Sequence, residues 1–329
     1  MKLATIKDGS RDGRLAVVSS DLTRAVFANA VAPTLLDALE RWRDTEAPLR
    51  VLAKTLVAEA GSDAFRFDPN ACMAPLPRCY QWLDGSTFAN HGALMERAFD
   101  SGFKNEYEKF PLVYQGASDD FIGPCDDVEL PSEADNMDFE GEVAVVVDEI
   151  PLGTPKAAMA AHIKLLMLVN DVSLRGLAPR EMKTGFGWVQ AKPSTSFSPV
   201  AVTPDELGEA WHDGRVHLPL QIRRSGQWFG HPNGQEMTFN FFRLLEHVAY
   251  SRRLRAGTIV GSGTVSNASR SAGSACIAER RAIETLDEGT AKTPFLRFGE
   301  RVQIDMQDAA GRSIFGAIDQ RYASSGARA

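Results

Sequence analysis

The sequence predicts an α+β, strand-rich fold, with a small N-terminal strand-and-helix domain over residues 1–71 and a larger body over 72–329. Three observations lead there. Strand-like and helix-like stretches do not alternate regularly, which disfavours a doubly wound parallel sheet and favours a mixed or antiparallel one. The most apolar strand pattern, Val143-Ala144-Val145-Val146-Val147, reads as part of a buried sheet. Between Gly61-Ser62-Asp63 and Phe67-Asp68-Pro69-Asn70 the chain has the turn-forming residues of a linker.

Taken in order, Leu3–Ile6, Arg14–Val18 and Ala25–Ala28 read as short strands punctuated by Gly9, Gly13 and Ser19-Ser20. Thr34 to Arg43 is a helical pattern with Leu35, Leu36, Leu39 and Trp42 on one face, and a second helix covers roughly 47–60. In the body, Ala89 to Phe99 reads as helix, Pro155 to Val169 as a largely buried helix, and Met237 to Arg252 as helix. Strands are expected at Val216–Arg223, Thr258–Val260, Ala275–Ala278, Arg301–Ile304 and Ser313–Phe315. The long, turn-rich stretch Gly102 to Asn136 has room for a lid.

Composition narrows the function. The 329 residues are 44% hydrophobic and 24% charged, an ordinary globular balance long enough for more than one domain. A net charge of -7 without a dense Lys/Arg block excludes a phosphate-backbone partner, so no nucleic acid is expected. Cys72, Cys79, Cys125 and Cys276 fit neither a zinc spacing nor a disulfide scaffold and are expected to be reduced thiols. The N-terminus has no apolar signal core, and no run long enough to span a bilayer occurs. The expectation is a soluble cytoplasmic protein with no membrane partner.

Chemistry enters with Asp138-Phe139-Glu140-Gly141-Glu142, at the mouth of the apolar strand. Residues i and i+2 of a strand share a face, so Glu140 and Glu142 should aim at one point. Two unit charges about 4 Å apart repel by roughly 4 kcal/mol at an effective dielectric of about 20. A cation, an arginine or a shared proton would offset that, and a hard divalent cation suits an all-carboxylate set best. A solvated pair ahead of a strand is the plainer alternative. Asp171, ending the apolar run 162–173, and Asp84, in Gln81-Trp82-Leu83-Asp84-Gly85, read singly as turn or cap residues. Taken alone, His91 reads as a surface or packed helix residue and Lys192 as a solvated lysine.

Together these segments resemble the fumarylacetoacetate hydrolase family, in particular its bacterial fumarylacetoacetase-like members, over roughly residues 72–322. The resemblance rests on Asp84 seven residues before His91, the Glu140-Gly141-Glu142 strand opening, Asn170-Asp171-Val172-Ser173, Lys192 in Ala191-Lys192-Pro193-Ser194-Thr195-Ser196, and Gly263-Thr264. It implies a mixed β-roll or sandwich for the body and one Mg²⁺ or Ca²⁺ per subunit held by Asp84, Glu140, Glu142 and Asp171. It makes His91 a general base oriented by Glu279, with Glu284 as the weaker alternative, and sets Lys192 against the developing oxyanion. Tyr114, Arg175, Gly263 and Thr264 then fall at substrate-contacting positions, and a homodimer is implied. Asp138 alternates with Glu140 but is not needed by the family pattern.

The activity implied is metal-dependent hydrolysis of a carbon–carbon bond in a small-molecule β-diketo acid. Fumarylacetoacetate in tyrosine and phenylalanine breakdown is the leading substrate; acylpyruvate hydrolysis or 2-oxo-acid hydratase, isomerase or decarboxylase chemistry is the alternative. A non-catalytic, metal-dependent binding scaffold is disfavoured because neither a metal acid nor His91 is missing. Animal-type members have tyrosine, arginine and glutamine where this chain has Ser86, Asp100 and Ala178. Those departures put the substrate pocket, rather than the metal chemistry, in doubt. Arg180 and Lys183 are candidate replacements for the lost contacts.

Overall fold

A computed structural model describes residues 1–58, 63–99 and 106–326. Asp100, the Gly61-Ser62 start of the expected linker and the first residues of the expected lid lie outside the described residues.

A long sheet forms the spine of the molecule. Its strands run, side by side, Phe65–Arg66 (β4), Arg24–Phe27 (β3), Arg14–Val18 (β2), Lys2–Ile6 (β1), Ala201–Val202 (β13), Ile163–Asn170 (β10), Gly141–Val147 (β9), Ile259–Gly261 (β18), Trp82–Ser86 (β5) and Leu112–Gly116 (β6). Ser196–Phe197 (β12) also pairs with β10. A second sheet has the order Gln227–Gly230 (β17), Leu220–Arg224 (β16), Arg301–Met306 (β19), Ile318–Ser324 (β20) and Val128–Leu130 (β7). Two small ladders pair Met137–Asp138 (β8) with Ser173–Leu174 (β11), and Trp211–His212 (β14) with Arg215–Val216 (β15). The helices are Leu35–Glu40 (α1), Trp42–Ala58 (α2), Ala89–Phe99 (α3), Glu106–Lys109 (α4), Ala178–Thr184 (α5), Phe241–Val248 (α6) and Ile277–Glu288 (α7). The fold is thus α+β and strand-rich, with no closed barrel.

The long sheet has a core on each face. Val143, Val145 and Val147 of β9 pack with Leu220, Ile222, Val302 and Ile304 of the second sheet. Ala144 and Val146 point the other way, into the layer formed by Leu35, Leu39, Trp42 and Leu49 of α1 and α2. A strand buried on both faces has no polar side to display, so its sequence is a continuous apolar run. β10 has the same property, with Leu166 and Leu168 in one core and Leu165, Met167 and Val169 in the other. This corrects the helix expected over 155–169: only 156–162 coils, as a 3₁₀ segment, and the apolar run is a strand paired with β9. Periodicity does not separate a two-faced strand from a buried helix.

The expected strand at Ala275–Ala278 is instead a helix start. Cys276 is the N-cap and α7 runs on from Ile277, with Glu279 buried among its inward-facing residues. A carboxylate at a core position hides the apolar stripe by which a helix is recognised. The helix expected over 237–252 contracts to α6, begun by Asn240, whose side chain accepts from Arg243 N. Residues 313–315 form only an isolated bridge at Ser313, and the strand lies further on, at β20. The N-terminal strands do not stand apart from the body: β1 pairs with β13, Lys2 opposite Val202, so one sheet crosses the expected 71/72 junction. All four cysteines are free thiols, and no described helix is long and apolar enough to cross a membrane.

Candidate active site

Glu142 is the second residue of β9, Asp171 follows the last residue of β10, and Asp84 is the middle residue of β5. Between β9 and β5 lies β18, whose Gly261 is in register with Asp84. A Cβ at Gly261 would collide with Asp84 Oδ1, so the glycine keeps space open for the carboxylate. Gly263, with φ +76°, turns the chain so that its N–H donates to Asp84 Oδ1 at 3.1 Å. The result is a cluster in which one oxygen from each of Asp84, Glu142 and Asp171 lies within 4.8 Å of the others.

The three acids are not equally served. Asp171 accepts from Tyr114 Oη at 2.7 Å, Thr195 Oγ1 at 3.0 Å and Lys192 Nζ at 2.5 Å. Glu142 is fully buried, and neither of its carboxylate oxygens has a hydrogen-bond donor among the described residues. Burial, then the charges of Asp84 and Asp171, pushes its carboxyl well above the usual range. Asp84 is driven the same way by burial and then by Asp171. Burial also raises Asp171, against the pull of Lys192. A buried carboxylate without a partner costs several kcal/mol. A shared proton relieves one pair of acids; three acids with two donorless oxygens fit a hard divalent cation, which takes oxygen ligands.

Glu140 has other neighbours. Arg175 Nη2 donates to its Oε1 at 2.6 Å, and Lys192 Nζ bonds its Oε2. Burial opposes ionisation of Glu140, but Lys192 and Arg175 outweigh it and hold the carboxyl well below the usual range. Lys192 is likewise held far above its ordinary value, because Asp171 and Glu140 outweigh the cost of its burial. Arg175 Nε also donates to Asp138 Oδ2 at 2.9 Å. Asp138, Arg175, Glu140, Lys192 and Asp171 therefore form a buried chain of alternating sign that ends at the edge of the acid cluster.

Beside this chain stands the histidine. His91 lies in the first turn of α3 and Glu279 in the first turn of α7; the two helices pack together, and His91 Nδ1 meets Glu279 Oε2 at 2.8 Å. Glu284, the alternative partner, is engaged elsewhere, by Thr293 and the backbone N–H of Lys292. His91, Glu140 and Cys276 each bring one ligand-type atom within 4.8 Å of the other two, which places the His–Glu pair against Glu140.

Of the residues expected to contact substrate, Tyr114, Arg175 and Gly263 each donate to an acid of this site, and Thr264 is buried next to Gly263. Ser86 ends β5 and Ala178 opens α5, both half-buried. Arg180 donates to Gln190 at 2.9 Å, and Lys183 is exposed. Two residues escaped the sequence reading as site members. Thr195 sits three residues after Lys192, in a Ser/Thr-rich stretch that holds no charge to draw notice. Asp138 was signalled by its i, i+2 relation to Glu140.

Residues 81–321 match the family model described as fumarylacetoacetate (FAA) hydrolase C-terminal, and residues 1–78 match fumarylacetoacetase N-terminal domain 2. Among curated relatives, the chain is 30% identical over 157 residues to 2,4-didehydro-3-deoxy-L-rhamnonate hydrolase from Sphingomonas sp. strain SKA58, covering 47% of this chain and 52% of that one. It thus spans about half the length of that relative. Two solved structures share the fold: fumarylacetoacetate hydrolase from Exiguobacterium antarcticum, at 17% identity, 98% and 99% coverage and a TM-score of 0.66, and maleylpyruvate hydrolase from Sphingobium sp. SYK-6 in complex with manganese(II) and pyruvate, at 15% identity, 98% and 99% coverage and a TM-score of 0.66. With the C-terminal family model spanning nearly the whole body and the N-terminal one the rest, the chain belongs to the fumarylacetoacetate hydrolase family, whose members are hydrolases and isomerases.

Proposed function

We propose that this chain is a metal-dependent hydrolase that cleaves a carbon–carbon bond in a β-diketo acid, with fumarylacetoacetate, split to fumarate and acetoacetate, as the leading substrate. The observation behind this reading is the His91–Glu279 pair set against a cluster of buried acids of which one, Glu142, has no donor among the described residues. Asp84, Glu142 and Asp171 would hold one Mg²⁺ or Ca²⁺, with Glu140 as the outermost ligand, reached by yielding its bond to Lys192. When bound, such an ion supplies Lewis-acid polarisation of the substrate carbonyls.

The remaining work falls to side chains. Glu279 fixes His91 with its Nδ1–H donated to the carboxylate, which leaves Nε2 to take a proton from water. That water adds to the carbonyl, and Lys192 Nζ donates to the oxyanion of the tetrahedral adduct. The carbon–carbon bond then breaks, the attacked carbonyl carbon becomes a carboxylic acid that loses its proton to solvent, and the proton held by His91 passes to the departing carbon. Tyr114, Arg175, Gly263 and Thr264 would line the substrate. A homodimer, implied by the family resemblance, is part of the same reading. Ser86 and Ala178, in place of larger contact residues of the animal-type enzymes, favour an acylpyruvate as the second substrate to try.

The test is the loss of diketone ultraviolet absorbance when chelator-stripped protein meets fumarylacetoacetate, with and without Mg²⁺. Metal-dependent loss, with fumarate and acetoacetate as products, is expected. His91→Ala should lower turnover by about 10²–10⁴-fold while leaving the ion bound. Turnover that survives this substitution would remove His91 from the base role.

A further inference from the structure

We infer that Asp138 is a positioning residue that sets the His91–Glu279 pair and ties it to the acid cluster; the inference rests on the catalytic reading above. Asp138 is fully buried, and its single carboxylate meets four donors. Oδ1 accepts from the backbone N–H groups of Phe139 and Ile277, both at 2.8 Å. Oδ2 accepts from Ala278 N and from Arg175 Nε, both at 2.9 Å. Ile277 and Ala278 are the first two residues of α7, and Glu279 is the third.

The local cap of this helix is weak. Cys276 offers only its Sγ to Glu279 N, at 3.3 Å, and a thiol sulfur is a poor acceptor. The strong acceptor for the orphan N–H groups of the first turn comes from across the fold, as a full negative charge at the positive end of the helix. Asp138 therefore clamps the backbone immediately ahead of the carboxylate that orients His91. Through Arg175, whose other arm holds Glu140, the same side chain fixes one end of the charge chain leading to Asp171. A buried ion pair is a poor way to gain stability compared with apolar packing, whereas it fixes geometry well. Misplacement of a catalytic pair by about 1 Å costs about 10²-fold in rate.

The test is Asp138→Asn in the full-length, Mn²⁺-loaded enzyme. The amide keeps one carbonyl oxygen and turns N–H bonds toward Ala278 N and Arg175 Nε, where acceptors are required. The expected result is a loss of about 10- to 100-fold in kcat, larger than the accompanying change in KM or Mn²⁺ affinity. In a Glu279→Gln background, Asp138→Asn should cost little more, because both changes act through His91. In metal-free protein the His91 Nδ1–H proton resonance should shift in Asp138→Asn. A second route leaves Asp138 in place: Ile277→Pro removes one donor at the first helical position, where the backbone accepts proline and Cys276 before it is already extended. Because Ile277 is a buried core residue, the effect is read against Ile277→Ala, which keeps the N–H. The proline variant should lower kcat in the same direction. Unchanged kcat in both variants, or losses that simply add to that of Glu279→Gln, would overturn the inference. Full activity in Glu279→Gln alone would instead sink the catalytic reading on which it rests.

Discussion

Two groups of buried carboxylates lie within one patch of this protein, and they are handled in opposite ways. Asp138 and Glu140 are given cations by the fold, through Arg175 and Lys192, and accept hydrogen bonds at 2.6–2.9 Å. Among the described residues Asp84 and Glu142 are given almost none: a single backbone N–H for Asp84 and no donor for Glu142. The desolvation cost is alike in both places, so the difference lies in what offsets it. Where the chain supplies its own counter-charge, the acids are held in place by the fold's cations. Where it withholds one, the arrangement suits the cation from solution that we propose. Asp171 stands between the two, bonded to Lys192 on one side and facing Glu142 on the other.

Moving an acid from the compensated to the uncompensated group gives the largest expected effects. Lys192→Met removes the cation from both Glu140 and Asp171. Chelator-treated protein should lose about 3–5 kcal/mol in urea unfolding, as broken buried pairs do. Turnover should fall by about 10²–10³-fold for want of an oxyanion donor. A Lys192→Met protein as stable as the wild type would show that the alternating chain does not compensate these acids. The smaller change is Tyr114→Phe. Asp171 keeps Thr195 and Lys192, so the loss should be about 1 kcal/mol of stability with a modest drop in ion affinity, read by unfolding and by titration.

How much of this was legible in the sequence follows from what each residue does locally. Asp84 and Asp171 read singly as turn or cap residues, and only the order of motifs along the chain, through the family resemblance, joins them to Glu142. Glu140 and Glu142 were expected to share one focus because they alternate across a glycine. Their hydrogen-bond partners differ because Glu140 lies just ahead of β9, bridges to Cys276 and meets two cations supplied by distant segments. No local spacing encodes Arg175 and Lys192 arriving there. The strand over 163–170 was mistaken for helix because both its faces are buried, which erases the alternation that marks a strand. α7 was missed for the reverse reason: its inward face has Glu279, a buried carboxylate, in place of an apolar residue. Both misreadings come from elements that border the site, where chemistry or double burial overrides the usual pattern.

The most direct test of the central claim is calorimetric titration of Mn²⁺ into chelator-stripped wild-type and Glu142→Gln proteins. One ion should bind per chain in the wild type and none in the variant, since the amide removes the charge at the only acid of the cluster that lacks any donor among the described residues. Equal Mn²⁺ binding by both proteins would place the ion away from Glu142 and contradict the claim, and no binding by either would make the buried acids a proton-sharing cluster rather than a metal centre.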